Sequence, residues 1–212
     1  MKRKIASFTG GRPIFTGSPA IVPGGFNLDV VNQRFPPGMI IPGGSLAIYD
    51  EVKRTVQIVK TASVVEVNSE NAKEITLKVD EFYVPIFAVG DKVAKDDDIS
   101  GTFANAAQIT AISQTDNSCV ITLSKAISGL TVGDVIVEVV KDGIGDDIAE
   151  IGKANALTLA DVEVSEFETG VDVTADTMQY ALFERRVPVI PKFQKDGNHL
   201  MANPNVKLSQ SY

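Results

Sequence analysis

A mainly β protein with extended, proline-rich ends is the fold class predicted by this 212-residue sequence. Three observations carry the expectation: period-two alternation through the middle of the chain, proline crowded at both ends, and a Val-Gly-Asp turn that occurs at two places. Alternation sends successive side chains to opposite faces of a sheet, so one face can be buried while the other stays wet. Proline fixes φ and cannot donate to a sheet ladder, so segments rich in it make poor central strands.

Pro13, Pro19, Pro23, Pro36, Pro37 and Pro42 crowd the start, Pro188, Pro191 and Pro204 lie near the end, and Pro85 alone lies between. Residues 1–36 therefore read as an extended N-terminal arm and 188–212 as a C-terminal tail. The body between them alternates in "SLAIYDE" (45–51), "RTVQIVKTASVVEV" (54–67), "KEITLKVD" (73–80), "AQITAIS" (107–113), "CVITLS" (119–124), "VIVEVV" (135–140) and "MQYALFERRV" (178–187). All are rich in β-branched and aromatic residues and are expected as strands. Gln114 to Ser118 are turn formers between two such runs, which predicts a hairpin over 107–124. Residues 147–153 are the one stretch expected to be helical, and 124–130 reads as a turn.

The repeated turn organises the middle. "FAVGDKVAKD" (87–96) and "LTVGDVIVEV" (130–139) each place an apolar run before Val-Gly-Asp and alternating residues after it. Glycine permits a positive φ, and an aspartate can bond the backbone as the next strand begins. The two turns are thus expected to launch strands at Lys92 and Val135 and to mark the ends of a small β-barrel or β-sandwich inserted at 68–141. Residues 37–67 and 142–187 must then combine into a second β unit.

Charge divides the chain. Residues 1–36 hold Lys2, Arg3, Lys4, Arg12 and Arg34 against Asp29 alone, a net of +4, which leaves −11 for the rest of a chain whose total is −7. A basic arm on an acidic body suits docking on an acidic surface. No apolar run approaches the roughly 20 residues that span a bilayer, and the start lacks the hydrophobic core of a signal peptide, so a soluble, non-secreted protein is expected.

Little in the sequence points to catalysis. His199 is the single imidazole and lies in the tail, while a triad needs such a residue held beside a nucleophile. Cys119 sits in an apolar run and reads as a core residue. The chain cannot assemble the common zinc sets, and the acidic groups Asp96–Asp98 and Asp142, Asp146 and Asp147 do not follow the calcium-loop pattern, so no metal and no cofactor is expected. The pairs Gly10-Gly11, Gly24-Gly25 and Gly43-Gly44 lack the Lys-Ser/Thr of a phosphate loop and read as turns in an arm. Direct nucleic-acid binding is not expected of an acidic body without interleaved basic and aromatic residues. Two alternatives stay open: a carbohydrate-binding or adhesin-like module using Phe82, Tyr83 and Phe87, which core packing explains more simply, and a glycosidase using paired carboxylates.

The flanking segments carry a resemblance. "PPGMIIPGGSLAIYDEVKRTVQIVKTASVVEV", "NALTLADVEV", "DVTADTMQYALFERRVPVIP" and the final "LSQSY" resemble the head decoration and head fibre proteins of tailed phages, with Gly38 to Leu46, Asn155 to Val164 and Tyr180 to Pro188 in the matching places. The resemblance implies an auxiliary capsid protein on the outside of the virion shell. It would be made in the bacterial cytoplasm, bind the major capsid protein and commonly form a homotrimer. On that expectation Lys2, Arg3, Lys4, Arg12, Phe15, Phe26 and Arg34 dock on the capsid, and deletion of residues 1–36 abolishes binding while leaving a folded body. The family's simplest members are one small domain, so the central barrel and the long arm are departures from it.

Overall fold

The computed structural model describes residues 13–22, 25–175 and 180–211 and is mainly β. Its first strands are β1 (Phe26–Leu28), β2 (Ile40–Ile41), β3 (Leu46–Asp50) and β4 (Thr55–Ile58). The middle holds β5 (Thr61–Val67), β6 (Glu74–Leu77), β7 (Lys92–Lys95), β8 (Ala107–Gln114), β9 (Cys119–Leu123), β10 (Val135–Lys141) and β11 (Ile148–Glu150). Last come β12 (Ala156–Leu157), β13 (Val162–Glu163), β14 (Gly170–Val171), β15 (Tyr180–Phe183), β16 (Lys195–Asp196), β17 (His199–Leu200) and β18 (Asn203–Ser209).

The middle strands close a barrel in the order β5-β6-β9-β8-β7-β10, with β10 antiparallel to both β5 and β7. Val64, Ile75, Leu77, Val93, Ile109, Ile121, Leu123 and Ile136 fill it, each buried. Cys119 is part of the same core, and burial pushes its thiol up to about 11. Both Val-Gly-Asp turns launch strands where the sequence places them, and those two strands, β7 and β10, pair with each other to close the ring.

The halves of the barrel repeat one pattern. The Gly90 amide donates to the Ile109 carbonyl and the Ile109 amide to the Asp91 carbonyl, while Gly133, Val64 and Asp134 make the same exchange. Register shifts fall between Val64 and Glu66 on β5 and between Ile109 and Ala111 on β8, so each half carries its β-bulge at the same step. The barrel begins at Thr61 rather than 68, because the alternating run 54–67 is two strands. It breaks at Val59-Lys60, with β4 in one sheet and β5 in another.

A second sheet has the order β12-β3-β4-β1-β14. A Thr158–Val173 bridge, with the Leu159 amide on the Asp172 carbonyl and the Thr174 amide on the Leu157 carbonyl, joins its two edges. Phe26, Leu28, Ile41, Val56, Ile58, Val171 and Val173 are buried inside. The described part of the expected arm is thus part of the body: β1 lies between β4 and β14, and Phe35 is buried beside it. Proline kept the segment from reading as strand, yet β1 needs only three residues free of it.

The expected tail is also structured. β18 pairs in parallel with β15 and antiparallel with β17 in the sheet β15-β18-β17-β16, whose Leu182, Leu200, Val206 and Leu208 pack on Leu46, Leu157, Val187 and Ile190. Within residues 147–153, Ile148–Glu150 form β11 and no helix is present, since the Asp142 amide donates to the Asp147 carbonyl and closes a hairpin that returns along β10. The strand expected over 178–187 ends at Phe183, where Glu184–Arg186 make a 3-10 turn.

Candidate functional site

Where the N-terminal segment meets the barrel, a charged side chain is wholly enclosed. Lys60, at the step from β4 to β5, is fully buried; its Nζ donates to Asp91 Oδ2 at 2.7 Å and to the Arg34 carbonyl at 2.7 Å. The same ammonium lies 3.5 Å from Glu138 Oε1 and 4.4 Å from the centre of the Phe35 ring. Gln33 completes the cluster: its Nε2 donates to Glu138 Oε2 and to the Ile58 carbonyl, and its Oε1 accepts from the Ile58 amide.

The cluster therefore joins four segments: Gln33 to Phe35, the β4–β5 step, the first Val-Gly-Asp turn and β10. One ammonium faces two carboxylates, and Asp91 Oδ1 has no hydrogen-bond partner. Burial raises the Glu138 carboxyl above the usual carboxylate range and the charge of Asp91 adds to that, while Lys60 and Gln33 oppose it. A buried ion pair is costly to desolvate but costlier to break, so the cluster fixes how the segment lies on the barrel.

Above it opens a groove of about 620 Å³. It is lined by Val30, Phe35, Pro36 and Met39 of the N-terminal segment, by Phe87, Ala88 and Val89 before the first Val-Gly-Asp turn, and by Ile112 and Gln114 of β8. Among the described residues, Arg34 is the one charged side chain that lines it. On an acidic protein, an apolar groove with a single cation at its rim favours an apolar ligand that carries negative charge.

The residues expected to dock lie in different places. Lys2, Arg3, Lys4 and Arg12 lie outside the described residues. Phe15 and Phe26 belong to two separate cores: Phe15 packs edge-on to Tyr180 at 5.4 Å, and Phe26 is buried beneath the Arg54 guanidinium at 4.2 Å. Both rings are buried within the fold, not presented on its surface. Arg34 alone stands at a candidate surface, with its side chain laid over Gly90.

Of the aromatic cluster suggested for sugar binding, Tyr83 and Phe87 are buried, as core packing predicts. Asp97 is paired with Lys95 and Lys192, Asp146 with Lys141, and Asp98 accepts from the Ser100 hydroxyl. Among the described residues no group of three or more His, Cys, Asp or Glu side chains is placed to hold a metal ion, and no helix is long and apolar enough to cross a membrane. His199 is exposed on β17 opposite Lys207.

Sequence reading missed Gln33, Lys60 and Glu138. Two of them left a trace, since Lys60 and Glu138 each interrupt an apolar run, in "QIVKTA" and "VIVEVV". Comparison of the chain with family models, curated proteins and solved structures gave no match.

Proposed function

We propose that this chain is a structural protein of a tailed-phage particle, an auxiliary capsid protein that sits on the outside of the assembled shell and binds the major capsid protein without catalysing a reaction. One observation supports this reading most. The three segments that carry the family resemblance, far apart in sequence, meet in space: β12 pairs with β3 through Ala156–Ala47 and Leu157–Leu46, and β13 pairs with β2 through Val162–Ile41. Val187, from the third segment, packs so close to Gly44 that a side chain there would sit 2.4 Å from its Cγ1. A shared set of short motifs that assembles into one unit is what a common domain would leave, with the six-stranded barrel as its insertion.

Docking on this reading uses the groove and the protruding residues of the flanking unit. Phe167 is 88% exposed on a turn held by three hydrogen bonds: Ser165 N to Thr169 Oγ1, Ser165 Oγ to the Glu168 carbonyl, and Phe167 N to Ser165 Oγ. A rigidly presented aromatic is the kind of group that anchors an interface. As a homotrimer on a symmetric shell, the protein would gain affinity by multivalency, so that weak single contacts suffice.

The test is the copy number of the protein in purified virions, measured by quantitative mass spectrometry against the major shell protein. Hundreds of copies in fixed ratio to the shell subunit are expected. A handful would reassign it to a vertex or tail structure, and absence would overturn the reading.

A further inference from the structure

We propose that the free edge of β8 beside the groove accepts an added β-strand: an extended apolar segment with an acidic side chain for Arg34, contributed by the shell subunit if the capsid reading above holds.

The argument begins with unpaired backbone. β8 runs to Gln114, but β7 accompanies it only at Lys92–Gln108 and Val93–Ala107, and the last bonds on that side are those of Ile109 with Gly90 and Asp91. From Thr110 to Gln114 no strand lies along that edge among the described residues. On the other edge, the Thr115 amide bonds the Ser118 carbonyl and so sets the alternation of the antiparallel ladder. Ser113 then faces β9, while the amides and carbonyls of Ile112 and Gln114 face the groove. An open edge is a template for a further strand, whose backbone supplies affinity and whose alternate side chains enter pockets.

The groove is suited to that strand. Ile112 and Gln114 line it together with Val30, Pro36, Met39 and Val89. Val30 is 51% and Val89 55% exposed, so apolar surface stands uncovered at both sides. The partner's charge follows from Arg34, the only charged lining side chain among the described residues. A second copy of this chain is a poor donor through its own first residues, since Lys2, Arg3, Lys4 and Arg12 bring the same sign.

The barrel supplies an internal contrast. Val67 occupies on β5 the step that Ile112 occupies on β8, but only Ile112 lines the groove that takes residues from Val30 to Met39.

The probe is the blocked peptide acetyl-Val-Asp-Val-Glu-Val-amide, titrated into the isotope-labelled full chain and followed by amide chemical shifts and hydrogen exchange. Saturable shifts and slowed exchange at Ile112 and Gln114 are expected, with at least ten-fold weaker binding of the same peptide carrying Lys for Asp and Glu. Gln114→Pro removes one outward amide without touching a bond to β9 and should abolish the effect. Val89→Asp, at an exposed position, should weaken acidic peptide ten-fold or more in a protein whose remaining spectrum is unchanged, and Arg34→Glu should reverse the charge preference. No shift at β8, or shifts centred elsewhere, would overturn strand addition. Peptide binding at β8 by a protein absent from virions would keep strand addition and overturn the capsid reading instead.

Discussion

In the turn from Ala88 to Asp91 the aspartate Oδ2 accepts from the Ala88 amide at 2.8 Å, and in the turn from Thr131 to Asp134 the same atom accepts from the Thr131 amide at 2.6 Å. Gly90 and Gly133 both have positive φ, at 97° and 92°. Local sequence thus builds one turn at two places. Their surroundings differ. Asp91 is buried against Lys60 and its turn lies beneath Arg34, whereas Asp134 keeps solvent access and pairs with Lys95 at 3.2 Å. A methyl group on Gly90 would meet Arg34 Nε at 3.1 Å, and one on Gly133 would meet nothing within 4 Å. Equal halves of a barrel became unequal when a neighbouring segment settled on one of them, and the groove lies on that half.

The comparison can be broken most severely by removing the segment itself. Deleting residues 1–36 takes away Phe26, Leu28 and Phe35, each worth about 1.5–3 kcal/mol by burial, together with the strand between β4 and β14. Circular dichroism and thermal melting should report loss of cooperative folding rather than the folded body expected from the sequence.

Next in size is the buried ammonium. Lys60→Ala leaves Asp91 and Glu138 enclosed without their cation and should cost about 3–5 kcal/mol in urea unfolding. Lys95→Ala, which strips the cation from the other turn, should shift the midpoint far less, because water can solvate Asp134.

Smaller effects come from the glycines. Gly90→Ala and Gly133→Ala should each cost about 1–2 kcal/mol for the left-handed backbone. Only Gly90→Ala should also displace Arg34, seen as altered amide shifts along Val30 to Met39. Equal spectral changes in both variants would mean that the covering of the first turn does not matter to the groove.

The smallest is a pH effect of opposite sign in the two halves. Because its carboxyl is raised in the folded state, Glu138 adds stability below its unfolded value, and that contribution is lost as pH rises through the raised value. Asp134 has the opposite sign: the bond from the Thr131 amide holds it below the usual range, so its contribution is lost as pH falls. Melting temperatures of wild type and Glu138→Gln should therefore converge in acid and separate with rising pH, the variant being relatively more stable. A constant difference across pH would remove Glu138 from the account.

Much of the barrel was legible because its strands depend on local pattern. β8, β9, the turn between them and the starts of β7 and β10 all lie where alternation and Val-Gly-Asp place them. The junction was legible only in part. "RTVQIVKTASVVEV" reads as one strand-like run, and the interruption at Lys60 does not by itself say that Val59 belongs to one core and Ala62 to another. Proline misled at both ends, since it excludes a long central strand but not β1 or a sheet completed by Asn203–Ser209. Phe15 and Phe26 looked like docking groups because an apolar residue in a proline-rich segment has no evident local partner; their partners are more than 20 residues away.

The sequence by itself determined the β class, the strands of the barrel, the repeated turn and the uneven charge, because each follows from side-chain period, φ freedom or composition over a few residues. Tertiary structure decided which surfaces meet: that the supposed arm completes a sheet, that Lys60 is sealed between Asp91 and Glu138, and that the open edge of β8 lines a groove. Those outcomes depend on contacts between residues far apart in the chain, and the free energy of enclosing a charge or an apolar ring is set by what surrounds it in space.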